Sequence, residues 1–199
     1  MAQAKVLNEK ETRRVLLYIA SKKHSARNRC MFLMTTNCGM RVGEVAALQI
    51  SQVLQSDGQI VDEIRLKAEQ TKGSVGRTVL LSKKMQEELH HYLCCRFKLK
   101  DLAAVTYTDT SRALFCTQKN SNRGFSSSTA CQLFHYIYKN ANVIGASSHS
   151  GRRGFITNLA NKGVSVRVLM ELSGHKSIAV TQRYIDINPS MMRSAVEML

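Results

Sequence analysis

The feature that most constrains the fold of this chain is its scarcity of proline, because the 199 residues contain only Pro189. A proline inside a helix removes a backbone hydrogen bond and clashes with the preceding turn, so this chain can form helices along nearly its whole length. Apolar residues recur at helical spacing over much of the sequence, but between about 64 and 81 they alternate with polar residues. We therefore expect a mainly α fold with a small antiparallel β-sheet, in the α+β class.

Capping residues and apolar periodicity place the helices. Asn8 and Glu11 form a capping-box pattern that begins a first helix, which ends near residue 22. The same signals predict helices at about 25–37, 41–48, 82–97, 126–138, 151–162, 165–172 and 177–185, and a last short helix from 188. Residues 98–112 are typical of a polar loop, and 113–116 of a short strand.

The alternating segment predicts a β-hairpin. Ile64 and Leu66 alternate with charged residues, and a second strand is expected from Arg77. Between the two strands, residues 71–76 include two glycines, which favour a turn. Lys72 is therefore expected at the tip of the hairpin.

Charge and composition limit the classes of partner. Lysine and arginine number 29 against 14 acidic residues, a net charge of +15, which favours a polyanion such as nucleic acid. The chain has no apolar run of eighteen residues and no secretory stretch, so we expect no membrane partner. It has no glycine-rich nucleotide loop and no acidic cluster, so neither cofactor nor metal is expected. Six cysteines without paired spacing favour reduced, mostly buried thiols in a cytoplasm.

Five residues have the chemistry to hold and attack a phosphate: Arg41, His149, Arg152, His175 and Tyr184. Arginine offers a planar fork of donors to phosphate oxygens, and histidine donates a hydrogen bond or moves a proton near neutral pH. A tyrosine hydroxyl can form a covalent bond to phosphorus. We interpret the set as a phosphodiester site with two arginine clamps, two histidine donors and Tyr184 as nucleophile, for which His149 is a possible base.

The order and spacing of these residues resemble the tyrosine recombinases, the phage integrase family of lambda-integrase and Xer type. The motifs that carry the resemblance are Gly39-Met40-Arg41, His149-x-x-Arg152, Ser173-Gly174-His175 and Tyr184. The resemblance implies the catalytic-domain fold of that family and site-specific DNA recombination through a 3′-phosphotyrosyl link. It further implies that the partner is double-stranded DNA and that four protomers, monomeric off DNA, assemble on two DNA sites. Accessory DNA-bending proteins are compatible with this assembly.

The resemblance also suggests two further site residues. Lys72 stands in a Lys-Gly-x-x-x-Arg context that matches the family's hairpin lysine, and would protonate the departing 5′-oxygen; Lys67 is the fallback. Glu44 follows Arg41 by three residues, like the acidic residue after the first family arginine, and is expected to support the clamp. A surface ion pair is the alternative for Glu44.

Four more basic residues lie near these motifs in the sequence. We expect them to contact neighbouring phosphates of the DNA. The equal alternative is that they form a solvated basic face. These residues are Arg77, Arg153, Lys176 and Arg183. After His149, where the family commonly has Leu-Arg-His, this chain has Gly151-Arg152-Arg153. Spacing favours Arg152 as the clamp, and the missing leucine is expected to weaken packing.

We expect residues 1–199 to form a single catalytic domain, with no separate N-terminal DNA-clamp domain, in a short family member or a piece of a longer one. We expect an apolar stripe in residues 188–199 to dock on a neighbouring protomer; the alternative is that it packs on the same protomer. The stripe consists of Met192, Ala195, Val196 and Leu199. The expected context is a bacterial, phage or mobile-element cytoplasm, on nucleoid DNA. Alternatives are a type IB topoisomerase, a non-catalytic DNA-binding accessory protein and, less favoured, a phosphodiesterase.

Overall fold

The computed structural model describes residues 4–71, 75–118, 123–185 and 189–197. It is mainly helical, with one two-stranded antiparallel sheet, which confirms the predicted fold class. The elements are α1 (Glu9–Ala20), α2 (Ser25–Asn37), α3 (Val42–Ala46), β1 (Glu63–Leu66), β2 (Arg77–Leu80), α4 (Lys83–Phe97), α5 (Ala103–Thr106), α6 (Ser127–Asn140), α7 (Ser150–Asn161), α8 (Val166–Ser173), α9 (Ile178–Gln182) and α10 (Pro189–Val196). None of the helices within these described ranges is long and apolar enough to cross a membrane.

The capping box predicted for the first helix is present. The Asn8 side chain accepts a hydrogen bond from the backbone N–H of Glu11 at 2.9 Å, and the Glu11 carboxylate accepts one from the backbone N–H of Asn8 at 3.2 Å. Both interactions satisfy N–H groups that have no partner inside the helix. Helix α1 then buries Val15 and Ile19 and packs against α2.

Helix α2 is the central helix of the core. It contacts α1, α3, α4 and α7, and residues on all its sides are buried, as expected for a helix surrounded by others. Gly39 follows it with a φ of +63°, and a Cβ there would lie 2.4 Å from the Phe155 ring of α7. Glycine is therefore required where the chain turns from α2 towards Arg41.

The predicted hairpin is present, but its connection is longer than a tight turn. Strands β1 and β2 pair antiparallel from Glu63 opposite Leu80 to Leu66 opposite Arg77. A 3₁₀ turn, Ala68–Gln70, follows β1, and the Gln70 amide donates to the Ala47 carbonyl at 2.7 Å. The 3₁₀ turn Ala68–Gln70, in the described part of the connection, is thus docked on the end of α3. Lys72, predicted at the tip of the hairpin, lies outside the described residues.

Two local predictions were wrong. The segment 98–112 is not all loop, because it contains α5, which is flanked by the buried Leu102 and buries Val105. Residues 113–116 form no strand in the part of the chain that the structure describes; Ala113 and Cys116 make isolated bridges, to Gln49 and Gly124. Short elements of this kind depend on contacts with distant segments, which local sequence does not contain.

Helices α7, α8 and α9 surround a second, small apolar cluster. Ile156, Ala160 and Leu169 form it, and Tyr184 packs against it. Helix α10 follows after Tyr184; the side chains of Met192, Ala195 and Val196 in it are exposed, and Leu199 lies outside the described residues. The C-terminal helix thus has an apolar stripe that is open to contact.

The cysteines divide between core and surface. All six are free thiols; Cys30, Cys38 and Cys116 are buried, whereas Cys94 and Cys131 are partly exposed and Cys95 is exposed. Because Cys94 and Cys131 pack against the core cluster, the expectation that most of the cysteines are core residues holds, with Cys95 as the exposed exception.

Candidate active site

Two of the predicted phosphate-binding residues, Arg41 and His175, line a groove beside strand β2 and the end of α8, whereas His149 and Tyr184 line a separate cavity. The groove has a volume of about 740 Å³, and its lining includes Arg41, Arg77, His175 and Lys176. Residues that lie far apart in the sequence thus share one cavity.

Glu44 organises the first arginine. Its carboxylate accepts hydrogen bonds from the Arg41 backbone N–H at 2.9 Å, from Arg41 Nη1 at 2.7 Å and from Arg77 Nη2 at 2.7 Å. The Glu44 side chain is 1% exposed, so this is not the surface ion pair that the sequence left open. Burial opposes ionisation of this carboxyl, but the hydrogen bonds and charges of Arg77 and Arg41 hold the pKa of Glu44 below its usual value.

Arg152 lies on α7 and is almost completely buried. Its Nη1 donates to the Gly39 carbonyl at 2.7 Å, and its Nη2 donates to the Ser173 carbonyl at 2.5 Å. Burial, followed by the neighbouring Arg41, lowers the pKa of Arg152 to about 9, which leaves the guanidinium charged at neutral pH. The side chain therefore holds a positive charge in a fixed orientation between the end of α2 and the end of α8.

The glycine before Arg152 has a structural reason. A Cβ at Gly151 would lie 2.2 Å from Thr35 Oγ1, because α7 and α2 approach closely there. The absence of the family's leucine does not loosen this packing, contrary to the expectation, since a larger side chain has no room.

The end of α8 holds His175 in place. Arg77 Nη1 donates to the Leu172 carbonyl at 3.0 Å, next to the Ser173 carbonyl that Arg152 binds. Gly174 ends the helix with a φ of +60°, and a Cβ there would lie 2.5 Å from Arg77 Cδ. Two guanidiniums thus bind carbonyls at the negative end of the helix and set the direction in which the chain leaves it.

His175 is buried against these cations. Its Nδ1 lies 2.9 Å from Thr181 Oγ1 in α9. Burial, followed by the charges of Arg152, Arg41 and Arg77, lowers the pKa of His175 to about 4. The imidazole is therefore neutral near pH 7, and it can donate a hydrogen bond from only one of its two nitrogens.

Tyr184 is packed against His175. The two rings stack with centroids 5.2 Å apart and an angle of 28° between their planes. The Arg153 guanidinium lies 5.8 Å from the centre of the Tyr184 ring, and Thr157 Oγ1 donates to the Tyr184 carbonyl at 2.8 Å. The tyrosine is thus held through both its ring and its backbone.

His149 lines two cavities on either side of the site. One, of about 440 Å³, it shares with Arg153, Arg183 and Tyr184. The other, of about 460 Å³, it shares with Arg41 and Glu44. His149 is exposed, immediately before α7, so it is accessible from both the tyrosine side and the arginine side of the site.

The four basic residues expected to contact DNA differ in orientation. Lys176 and Arg183 are exposed, whereas Arg153 is buried over Tyr184 and the Arg77 guanidinium pairs with Glu44. The structure thus gives Arg77 and Arg153 contacts within the protein.

Sequence reasoning missed Thr157 and Thr181, which hold the Tyr184 backbone and the His175 ring. In the sequence, the one indication of a role for Thr181 is that it lies between His175 and Tyr184.

The arrangement suits a phosphate better than a cation. Among the described residues, Arg41, Arg77 and Arg152 surround one buried carboxylate, that of Glu44, so positive charge is in excess there. Among the residues that the structure describes, no group of three or more His, Cys, Asp or Glu side chains could hold a metal ion. What the geometry offers is a set of fixed donors next to His175, on whose ring the Tyr184 ring stacks.

Comparison with known proteins gives a consistent result. The model of the phage integrase family matches residues 5–191. The tyrosine recombinase XerA of Pyrococcus furiosus is 27% identical over 194 residues, which cover 97% of this chain and 61% of that protein. This chain thus spans about three fifths of the length of the curated relatives it matches first.

Solved structures show the same fold. The crystal structure of XerA recombinase matches with a TM-score of 0.75 at 25% identity, covering 100% of this chain and 66% of that one. The catalytic domain of bacteriophage HP1 integrase matches with a TM-score of 0.65 at 21% identity, covering 98% of this chain and 95% of that one. Because the family model extends over nearly all of the sequence, the resemblance seen in its motifs is confirmed, and the chain belongs to the phage integrase family.

Proposed function

We propose that this chain is a site-specific DNA recombinase that cleaves and rejoins strands through a covalent 3′-phosphotyrosyl link at Tyr184. The observation that carries the proposal is the meeting of Arg41, Arg152 and His175 beside the Tyr184 ring, whose centroid lies 5.2 Å from that of His175. Family membership supports the same chemistry.

The reaction needs stabilisation of the negative charge that develops on the two non-bridging phosphate oxygens. Arg41 is 24% exposed and lines the groove, so its guanidinium can bind a phosphate directly. Arg152 and His175 lie behind it with their orientations already fixed. Donors that are oriented before the substrate arrives give the largest effect, and removal of one typically costs about 10²–10³ in rate.

The covalent step exchanges one phosphate ester for another. The Tyr184 oxygen bonds to phosphorus, its proton passes to His149, and the bond from phosphorus to the 5′-oxygen breaks. Lys72 gives the departing 5′-oxygen a proton. Because the phosphotyrosine keeps the energy of the broken ester, a 5′-hydroxyl from the same or another strand can reverse the step without ATP.

The proposed partner is double-stranded DNA, which the net charge of +15 favours. We place four protomers on two DNA sites, with α10 as the segment that docks on a neighbour. The exposed Met192, Ala195 and Val196 side chains support this assignment, since an apolar stripe is more stable when it is covered. Lys176 and Arg183, both exposed beside the site, are the residues we assign to neighbouring phosphates.

The experiment uses DNA enriched from a random pool by binding to Tyr184→Phe protein. Nicked suicide duplexes of the enriched sequence are incubated with wild type and with Tyr184→Phe, and the products are separated on a denaturing gel. We expect a covalent protein–DNA band with wild type and none with the variant. Tyr107→Phe is the matched control, because Tyr107 is exposed and outside the site, and should give the wild-type band.

Each of the other outcomes would contradict the proposal and favour a different function. A covalent band that persists in Tyr184→Phe would refute the assignment of Tyr184 as the nucleophile. Relaxation of plasmid that lacks the enriched sequence would indicate a topoisomerase. Binding of the enriched DNA without any band in wild type would indicate a DNA-binding protein that does not cleave.

A further inference from the structure

Thr181 makes a hydrogen bond whose direction can be assigned. Its side chain is completely buried in α9, and its Oγ1 lies 2.9 Å from His175 Nδ1. A buried hydroxyl has one proton to donate, and leaving it without an acceptor costs free energy. In the described part of the chain, His175 Nδ1 is the one hydrogen-bond partner of this hydroxyl. Thr181 therefore donates and Nδ1 accepts.

The protonation of the ring follows from that direction. Burial and the charges of Arg152, Arg41 and Arg77 lower the pKa of His175 to about 4, so the imidazole carries one proton near pH 7. Since Nδ1 accepts from Thr181, that proton is on Nε2.

We infer that Thr181 is a positioning residue, which fixes His175 as the Nε2–H tautomer and so makes it a hydrogen-bond donor to the DNA phosphate. The second half of this inference rests on the proposed function. The opposite tautomer would direct a lone pair from Nε2 towards a negatively charged oxygen, which is repulsive. A neutral histidine is thus useful at this position only when its other nitrogen is held by a donor.

The backbone of Thr181 extends its effect to the nucleophile. Its carbonyl accepts a hydrogen bond from the backbone N–H of Tyr184 at 2.9 Å, while its hydroxyl holds His175. Thr181 therefore contacts both His175 and Tyr184, whose rings stack on each other, and it sets the geometry between them. Replacement of the hydroxyl alone leaves the backbone contact intact, which separates the two effects.

The first test measures the tautomer directly and does not require activity. Long-range ¹H–¹⁵N correlation spectra of wild type near pH 7 distinguish a protonated from an unprotonated ring nitrogen, and His175→Gln assigns the signals. We expect Nδ1 of His175 to be unprotonated and Nε2 to be protonated. In Thr181→Val we expect signals of both tautomers, whereas Thr181→Ser, which keeps the hydroxyl, should show the wild-type pattern. A proton on Nδ1 in wild type would overturn the inference.

The second test measures cleavage of the suicide duplex in single-turnover reactions. We expect Thr181→Val to lower the cleavage rate by about 10- to 100-fold, as loss of a partner that orients a functional histidine commonly does. DNA affinity should stay unchanged, and Thr181→Ser should recover most of the rate. Thr106→Val is the matched control, because its hydroxyl donates to the Ala103 carbonyl in α5, away from the site.

The outcomes separate this inference from the proposed function. A folded Thr181→Val protein with the wild-type rate would contradict the positioning role. Failure of wild type to form any covalent complex would contradict the proposed function, while the spectra would still decide the tautomer.

Discussion

The two clamp arginines differ in how much of each side chain is available. Arg152 is 2% exposed and binds two backbone carbonyls, whereas Arg41 is 24% exposed and is held by one carboxylate. A guanidinium has five N–H donors in a fixed plane, so some can bind the protein while others remain for a ligand. Lysine could not replace Arg152, since a single ammonium cannot join Gly39 and Ser173 in this planar geometry.

The buried His175 should make stability depend on pH. Its pKa is lowered in the folded protein from 6.5 to about 4, so the unfolded chain takes up a proton that the folded chain does not. The stability from this residue is therefore complete above about pH 6.5 and is lost as the pH falls through about 4. We expect urea unfolding of wild type at pH 7.5 and pH 5 to show a larger loss of unfolding free energy than in His175→Gln.

An exposed histidine serves as the control for that comparison. His135 lies on the surface of α6, and His135→Gln should keep the wild-type difference between the two pH values. Equal pH dependence in wild type and His175→Gln would contradict the lowered pKa of His175, because the residue would then take up its proton equally in the folded and unfolded chain.

Among the elements, α3, β2 and α8 are connected through Glu44. Its carboxylate binds Arg41 beside α3 and Arg77 of β2, and Arg77 in turn binds the Leu172 carbonyl of α8. Glu44→Gln keeps the shape of the side chain but leaves these cations without their shared anion beside Arg152. We expect it to lower the free energy of unfolding by about 3–5 kcal/mol, the usual cost of breaking a buried ion pair, as measured by urea denaturation.

The exposed pair of Glu63 and Arg65 on β1 gives the comparison. Both side chains are exposed, and Glu63→Gln should change the unfolding free energy by less than about 1 kcal/mol. Similar effects of the two substitutions would mean that Glu44 does not carry a buried charge.

Local sequence was sufficient to predict a helix where the residues at its N-terminus cap it. The Asn8 capping box and the Ser82 cap, which accepts from the Met85 N–H at 3.3 Å, begin α1 and α4 as predicted. It was insufficient for α5, and also for the turn Ala68–Gln70, which is held by the Ala47 carbonyl 23 residues before Gln70. Sequence predicts an element best when the interactions that define it lie within one or two turns.

The same distinction holds for the site. Residue type and order were enough to recognise the family, and of the predicted residues Arg41 and His175 line one groove while the Tyr184 ring stacks on His175. They did not predict that Arg77 faces inward, since its partners Glu44 and Leu172 lie 33 and 95 residues away. Orientation of a long side chain is decided by tertiary neighbours, which spacing does not contain.

For the molecule as a whole, the net charge of +15 should make DNA binding depend steeply on salt. Each neutralised phosphate releases counterions, and a protein that contacts six to ten phosphates loses about 10³–10⁵ in affinity between 50 and 200 mM salt. We expect a loss of this size for the enriched duplex, measured by fluorescence anisotropy across that range.

A duplex of unrelated sequence is the control. It should bind more weakly but with a similar slope of log affinity against log salt, because the slope reports phosphate contacts alone. Affinity for the enriched duplex that stays constant across the range would contradict a binding mode dominated by the backbone.

The hydrogen bonds of Arg152 have a consequence for the protein while it is being synthesised. This side chain joins carbonyls 113 residues before it and 21 residues after it, and Tyr184 follows later still. A nascent chain on the ribosome therefore contains Arg41, Arg152 and the Gly39 carbonyl before it contains the Ser173 carbonyl, the second of the two that orient Arg152. An incomplete chain that ends before Ser173 has neither the fully held Arg152 guanidinium nor Tyr184, so it has no assembled site.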